Sequence, residues 1–392
     1  MLNVESMRLL ALTLWDMVRS IYNHTEKAKN ETIVYHGTMH DHVSMMPSLF
    51  TFKPLWFAKY PVSQTIIAEL WHHSKCYDLA DYFTRIFRFL RRSPPYVPQA
   101  TRSHHHRQFI LSNDMQPLAI DWINEEATDP RAVIIINPGM NGDIESFYVL
   151  PWFSISREKN YVVAMLNRRG CIKERPMTIK ATRFCSYTDN MDMNQVYKMI
   201  DRMYPNVPKI GVGYSAGGNH IAKSLTLPNL PLDAAVIISC ANDIMRSYDY
   251  LKHDPLFDGI LSRGVRQIAE THGHIPIYRG IESMKRLTEI DATVAIRLGY
   301  EGVDDYYKAQ SSHEELACTS IPTLCIVSKD DFMLGTTASL YAEVAKKNEN
   351  IIAVITEQGG HMGWLQDDMK SWMDSVVTEF IEARHVIRQC GR

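Results

Sequence analysis

Little in the 392-residue sequence ties it to a polyanion, a bilayer or an oxidising compartment. The formal net charge is -2, from 42 Lys and Arg against 44 Asp and Glu, so there is no general attraction to nucleic acid. The seven cysteines (Cys76, Cys171, Cys185, Cys240, Cys318, Cys325, Cys390) are odd in number and contain no C-x-x-C pair. That pattern excludes a secreted disulfide framework and fits a reducing, cytoplasmic setting. Long apolar runs are missing as well. The run from Leu9 to Trp15 is closed by Asp16 and Arg19, well short of the roughly 20 residues a membrane span needs. No small-residue cleavage site follows it, so residues 7–21 read as a surface helix packing on the core rather than as a signal peptide. This leaves room for peripheral contact with a membrane. Internal repeats and low-complexity tracts are absent, and no obligate protein partner is implied.

What is present is a globular composition, 45% hydrophobic and 22% charged, long enough for one large core with appendages. Residues 1–105 mix helical stretches with aromatics and end in the break Arg91-Arg92-Ser93-Pro94-Pro95 and the run His104-His105-His106. They read as an N-terminal helical extension packing on the core. Over 106–392, short apolar runs alternate with longer amphipathic ones, the pattern of βαβ units. Strands are predicted over 108–111, 118–122, 132–137, 161–167, 209–214, 234–239, 323–328 and 351–356. Continuous apolar runs such as Ala132-Val133-Ile134-Ile135-Ile136 suit strands covered on both faces. The expectation is an α/β fold with a mostly parallel eight-stranded sheet flanked by helices. Between 243 and 312 the alternation stops, and a helical, cap-like insertion is predicted.

The segment Gly213-Tyr214-Ser215-Ala216-Gly217 lies where an apolar strand runs into a helix. A G-x-S-x-G string recurs by chance, but at a strand-to-helix junction its spacing has a steric reason: the glycines leave room for a strained elbow that lifts the serine hydroxyl above the sheet. The following helix N-terminus favours developing negative charge. Serine is a poor nucleophile at neutral pH, so a histidine base and an orienting acid must come later in the chain. Lys329-Asp330-Asp331-Phe332-Met333 follows one predicted strand, and Gln358-Gly359-Gly360-His361-Met362-Gly363 follows the next. His361 is the expected base. Asp331, directly before an apolar pair, is the expected acid, with Asp330 as the alternative. Pro138-Gly139-Met140-Asn141-Gly142 offers a turn for the oxyanion, whose donors are assigned to the Met140 and Ala216 amides. Neither His72-His73 nor the run at 104–106 has cysteine or carboxylate partners at ligand spacing, so no metal is expected. No other cofactor is required.

Over roughly 50–385 the sequence resembles the AB-hydrolase proteins of the ABHD type, the branch with bacterial esterases, fungal medium-chain fatty-acid ethyl ester synthase/esterases and animal lipid hydrolases. Pro138-Gly139, Asn167-Arg168-Arg169-Gly170, Tyr204-Pro205, Gly213 through Asn219, Gly299-Tyr300, Asp305-Tyr306-Tyr307, Ser311-Ser312, Asp330-Asp331 and Gly359 through Gly363 carry the resemblance. It departs at Ala216 and Asn141, and the family's Asn-Gly-His-x-Gln-Thr pattern survives only as Gln64-Thr65. The resemblance implies an α/β-hydrolase fold, a triad of Ser215, Asp331 and His361, and acylglycerol, phospholipid or other fatty-acyl ester substrates. The function expected is a serine carboxylic ester hydrolase; the competing readings are an acyltransferase or ester synthase using the same triad, and a non-catalytic scaffold that binds lipid or protein.

Overall fold

A computed structural model describes residues 32–55, 61–72, 105–170, 184, 186–253, 255–366, 368 and 370–389. Among these residues nine strands form one sheet: β1 (Thr32–His36), β2 (His105–Leu111), β3 (Pro117–Ile123), β4 (Ala132–Asn137), β5 (Tyr161–Asn167), β6 (Lys209–Tyr214), β7 (Ala234–Ile238), β8 (Thr323–Ser328) and β9 (Ile351–Thr356). Their order is β1-β9-β8-β7-β6-β4-β5-β3-β2. β4 to β9 pair in parallel, and β1, β2 and β3 add antiparallel edges. Every residue of β4, β5, β6, β7, β8 and β9 is buried. Such strands need apolar side chains on both faces, which explains their unbroken Val/Ile runs.

The pleat divides those side chains between two cores. Ile134 and Ile136 of β4 face a layer holding Trp152, Trp372 and Phe380. Val133 and Ile135 face the other layer, with Val196, Ile200, Ile221 and Tyr341. The helices Trp152–Lys159 and Trp372–Gln389 cover the first face. The helices Met191–Met203, Ala216–Ser224 and Ala338–Lys347 cover the second. From β4 the chain passes to β5 on one side and then returns to β6 on the other, so the winding reverses between β4 and β6. In open α/β sheets, ligands bind outside the strand C-termini at such a point.

Two expectations are corrected. Among the described residues the sheet has nine strands rather than eight, and the ninth comes from the segment read as a helical extension over 1–105. Thr32–His36 pairs antiparallel with β9, from Thr32 opposite Thr356 to His36 opposite Ile352. An edge strand of five half-buried residues offers only the short run Ile33-Val34-Tyr35, so its period is too short to stand out. The stretch 7–21 and His104 lie outside the described residues. His105 and His106 begin β2, where they meet Asp121 (3.1 Å) and Glu125 (3.1 Å). No helix among the described residues is long and apolar enough to cross a membrane.

Between β7 and β8 the described residues hold the helices Ile244–Leu251, Pro255–His272, Leu287–Arg297, Val303–Gln310 and His313–Cys318. Part of this insertion has its own small core, formed by Ile268, Ile275, Ile281, Ile290 and Val294. After β5, the buried Arg169 guanidinium bonds Asp192 (Nε to Oδ2, 2.7 Å) and Asp114 (Nη1 to Oδ2, 2.8 Å). It thereby ties the β5 turn to the first turn of Met191–Met203 and to the β2–β3 turn. Removing one member of a buried ion pair leaves the other charge uncompensated. Arg169→Met is therefore expected to lower the unfolding free energy by about 3 kcal/mol or more, read by urea denaturation.

Candidate active site

β6 ends at Tyr214, and Ser215 follows with φ 49° and ψ -121°, a backbone that L-residues seldom adopt. The Ser215 N–H donates to Ile238 O of β7 (2.8 Å), and Ser215 O accepts from Gly218 N–H (2.9 Å). Packing forces the flanking glycines. A Cβ at 213 would lie 2.6 Å from Gly218 Cα, and one at 217 would lie 2.1 Å from the Asn137 carbonyl oxygen. The strand, the elbow and the helix Ala216–Ser224 can close up only without side chains there.

The next strands bring the partners. Asp331 follows β8 and is buried at 2% exposure; its Oδ1 accepts the Met333 N–H at 2.9 Å. His361 follows β9 and is buried. Its Nδ1 lies 3.0 Å from both Asp331 carboxylate oxygens, and its Nε2 lies 2.9 Å from Ser215 Oγ. A neutral ring in this position donates from Nδ1 to the carboxylate and accepts the serine proton at Nε2. The structure thus brings Ser215, His361 and Asp331 into one hydrogen-bonded line. Asp330 points elsewhere. Its Oδ1 accepts the Gly360 N–H (2.9 Å), and its buried Oδ2 has no partner among the described residues. Burial pushes this carboxyl up to about 6, against the pull of the Gly360 bond.

The turn after β4 packs on the elbow: a Cβ on Gly139 would lie 3.3 Å from Ser215 Cβ. The Gly142 N–H closes the turn on Gly139 O (3.0 Å), and Asn141 takes φ 60°, as the third residue of a type II turn requires. Tyr148 Oη accepts the Gly139 N–H at 3.0 Å, which occupies the first amide of the turn. No acceptor among the described residues takes the Met140 or the Ala216 amide hydrogen. Above this turn, Asn141 Nδ2 donates to Gly264 O (2.8 Å) in the insertion helix Pro255–His272. Met140, Phe332, Met333, Ile66 and Leu287 pack against Leu251 and Leu261. The Phe332 ring stands 5.9 Å from that of His361. An apolar wall therefore adjoins the polar line. Among the described residues no group of His, Cys, Asp or Glu is arranged to hold a metal ion.

Sequence reasoning missed three supports of the histidine loop. Ser239 Oγ accepts the Met362 N–H (3.2 Å), Ser328 Oγ donates to Gly360 O (2.8 Å), and Thr65 Oγ1 accepts the His361 N–H (2.8 Å). Hydroxyls at strand ends are common in any sequence, so Ser239 and Ser328 carried no signal of their own. Thr65 did have one, as the surviving end of the Gln-Thr pattern.

Parallel strands wound in this order about an elbow serine are the architecture of the α/β-hydrolases, and the chain has that fold. A solved Pyrococcus furiosus esterase superposes with a TM-score of 0.51 at 14% identity, covering 74% of this chain and 94% of that one. No family model matches the chain. Its curated relatives include the phospholipase ABHD3 of Bos taurus, 26% identical over 314 residues and 74% of each chain. They also include the monoacylglycerol lipase ABHD2 of Mus musculus, 22% identical over 324 residues, 72% of this chain and 74% of that one. In sequence the chain is thus similar to ABHD-type lipid hydrolases, and in fold it is similar to the esterase.

Two outcomes test the site's packing. Gly217→Ala, whose methyl would strike backbone, is expected to cost about 3 kcal/mol or more in urea unfolding. The Asp330 carboxyl holds its proton more tightly in the native state than in the unfolded chain, where it titrates near 3.8. Its contribution to stability is complete below that value and is lost as pH rises through about 6. Asp330→Asn removes this titration, so the variant should gain about 2 kcal/mol relative to the parent between pH 4 and pH 7, in paired denaturation curves.

Proposed function

We propose that the protein is a serine hydrolase that cleaves carboxylic esters, of lipid or fatty-acyl type, through an acyl-enzyme on Ser215. The hydrogen-bonded line from Ser215 Oγ through His361 to Asp331 carries this reading. His361 Nε2 takes the hydroxyl proton as Oγ attacks the ester carbonyl carbon. Asp331 fixes the ring's tautomer and stabilises the imidazolium that forms. The carbonyl oxygen becomes an oxyanion, held by the Met140 and Ala216 amides at the start of the Ala216–Ser224 helix. Collapse breaks the ester C–O bond, and the leaving alcohol takes its proton from His361. Water then attacks the acyl carbon with His361 again as base, releasing the carboxylic acid and restoring Ser215.

Substrate class follows from the apolar wall and from the relatives. Leu251, Leu261, Met140, Phe332 and Met333 form an uncharged cluster that reaches His361 through the Phe332 ring. Such a surface suits an acyl chain better than a peptide or sugar. The relatives are named as a phospholipase and a monoacylglycerol lipase, which supports a fatty-acyl ester.

Ser215→Ala is expected to abolish labelling by a fluorophosphonate probe and to lower ester turnover by about a thousandfold or more. Asp331→Asn should lower turnover by about four orders of magnitude while the protein remains folded. Octanoate esters should turn over faster than acetate esters. Labelling that persists in Ser215→Ala would overturn the assignment.

A further inference from the structure

We infer that Thr65 is the residue that positions His361 for the reaction, an inference that rests on the ester-hydrolase reading above. The loop carrying His361 has an unusual backbone: Gly360, Met362 and Trp364 take φ of 60°, 62° and 37°. A chain in that conformation holds its shape only where its surroundings over-determine it. The supports divide by what they grip. Asp330 Oδ1 and Ser328 Oγ hold Gly360, and Ser239 Oγ holds the Met362 N–H, all from the ends of β7 and β8. Thr65 grips His361 itself, since its Oγ1 accepts the histidine's own N–H at 2.8 Å. That amide belongs to a residue only 7% exposed, so loss of the hydroxyl leaves a buried donor without its partner.

Thr65 comes from the helix Pro61–His72, which precedes the main run of strands and is 296 residues away from His361 in sequence. Its neighbours in the chain dock the helix at the same place. Gln64 lies under the loop so closely that a Cβ on Gly363 would meet its backbone carbonyl carbon at 2.9 Å. Ile66 packs in the apolar wall with Met140 and Phe332. Three consecutive residues thus meet the histidine loop or the acyl wall. The imidazole is gripped at one end by Asp331 and must meet Ser215 at the other. A backbone shift at 361 moves the ring off that line, and misplacement of about 1 Å costs on the order of a hundredfold in rate. Thr65 touches no reacting atom; it acts through the backbone of the base.

The test uses the full chain and p-nitrophenyl butyrate. Thr65→Val, which replaces the hydroxyl by a methyl of similar size, should lower kcat and the rate of fluorophosphonate labelling together by about tenfold or more, with KM within about twofold. Thr65→Ser, which retains the oxygen, should restore most of both. Where Thr65→Val folds poorly, the contrast of Thr65→Ala with Thr65→Ser makes the same comparison, with labelling counted per folded molecule by its melting transition. A Thr65→Val or Thr65→Ala protein that turns over within about twofold of the parent overturns the inference, as does a Thr65→Ser protein that loses as much as they do. Ser215→Ala separates the two readings. If it still hydrolyses the ester, the hydrolase assignment fails; if it is inactive while Thr65→Val is not, only the role of Thr65 fails.

Discussion

The left-handed backbone at Ser215 is the constraint from which the rest of the site is built. That conformation points the hydroxyl away from the sheet, and it is reachable because residues 213 and 217 have no side chains where Gly218 and the Asn137 carbonyl press in. The same close approach seats the Gly139 turn against the serine, so that Ser215 and this turn are packed as one unit. Strain of this kind persists only where neighbouring packing is stiff. Here the stiffness comes from β4 and β6, buried on both faces and paired in parallel register.

On the proposed reading, the base for this serine arrives from a different strand. His361 and Asp331 follow β9 and β8, which are adjacent and parallel, and their loops emerge on the same end of the sheet as the elbow. The Asp330 and Asp331 side chains then divide the work. One grips the backbone of the histidine loop and the other grips the ring. A side-chain hydroxyl from before the main sheet completes the loop's support through Thr65, and the insertion between β7 and β8 closes over the oxyanion turn through the Asn141 to Gly264 bond. The site is therefore assembled from the sheet, from the segment before it and from the insertion within it.

Legibility differed among these parts for physical reasons. Strands buried on both faces leave long apolar runs, so the seven strands from β3 to β9 could be read directly. Glycines forced by close backbone approach and a histidine between glycines leave a local mark too, so Ser215 and His361 stood out. β1 left no such mark, because an edge strand of five half-buried residues satisfies its pattern with almost any composition. The choice between Asp330 and Asp331 rested on the apolar pair Phe332-Met333; which carboxylate meets the ring depends on how the loop after β8 turns.

By itself, the sequence determined the class of fold, the elbow with its serine, and the order in which acid and base follow, since all three depend on periodicity and on short-range steric needs. Only the tertiary structure decided which aspartate faces the ring, that residues 32–36 extend the sheet, and that Thr65 reaches across 296 positions to the histidine backbone. A hydrogen bond between distant segments leaves no periodic trace in either, because its geometry is set by the register and twist of the sheet that separates them.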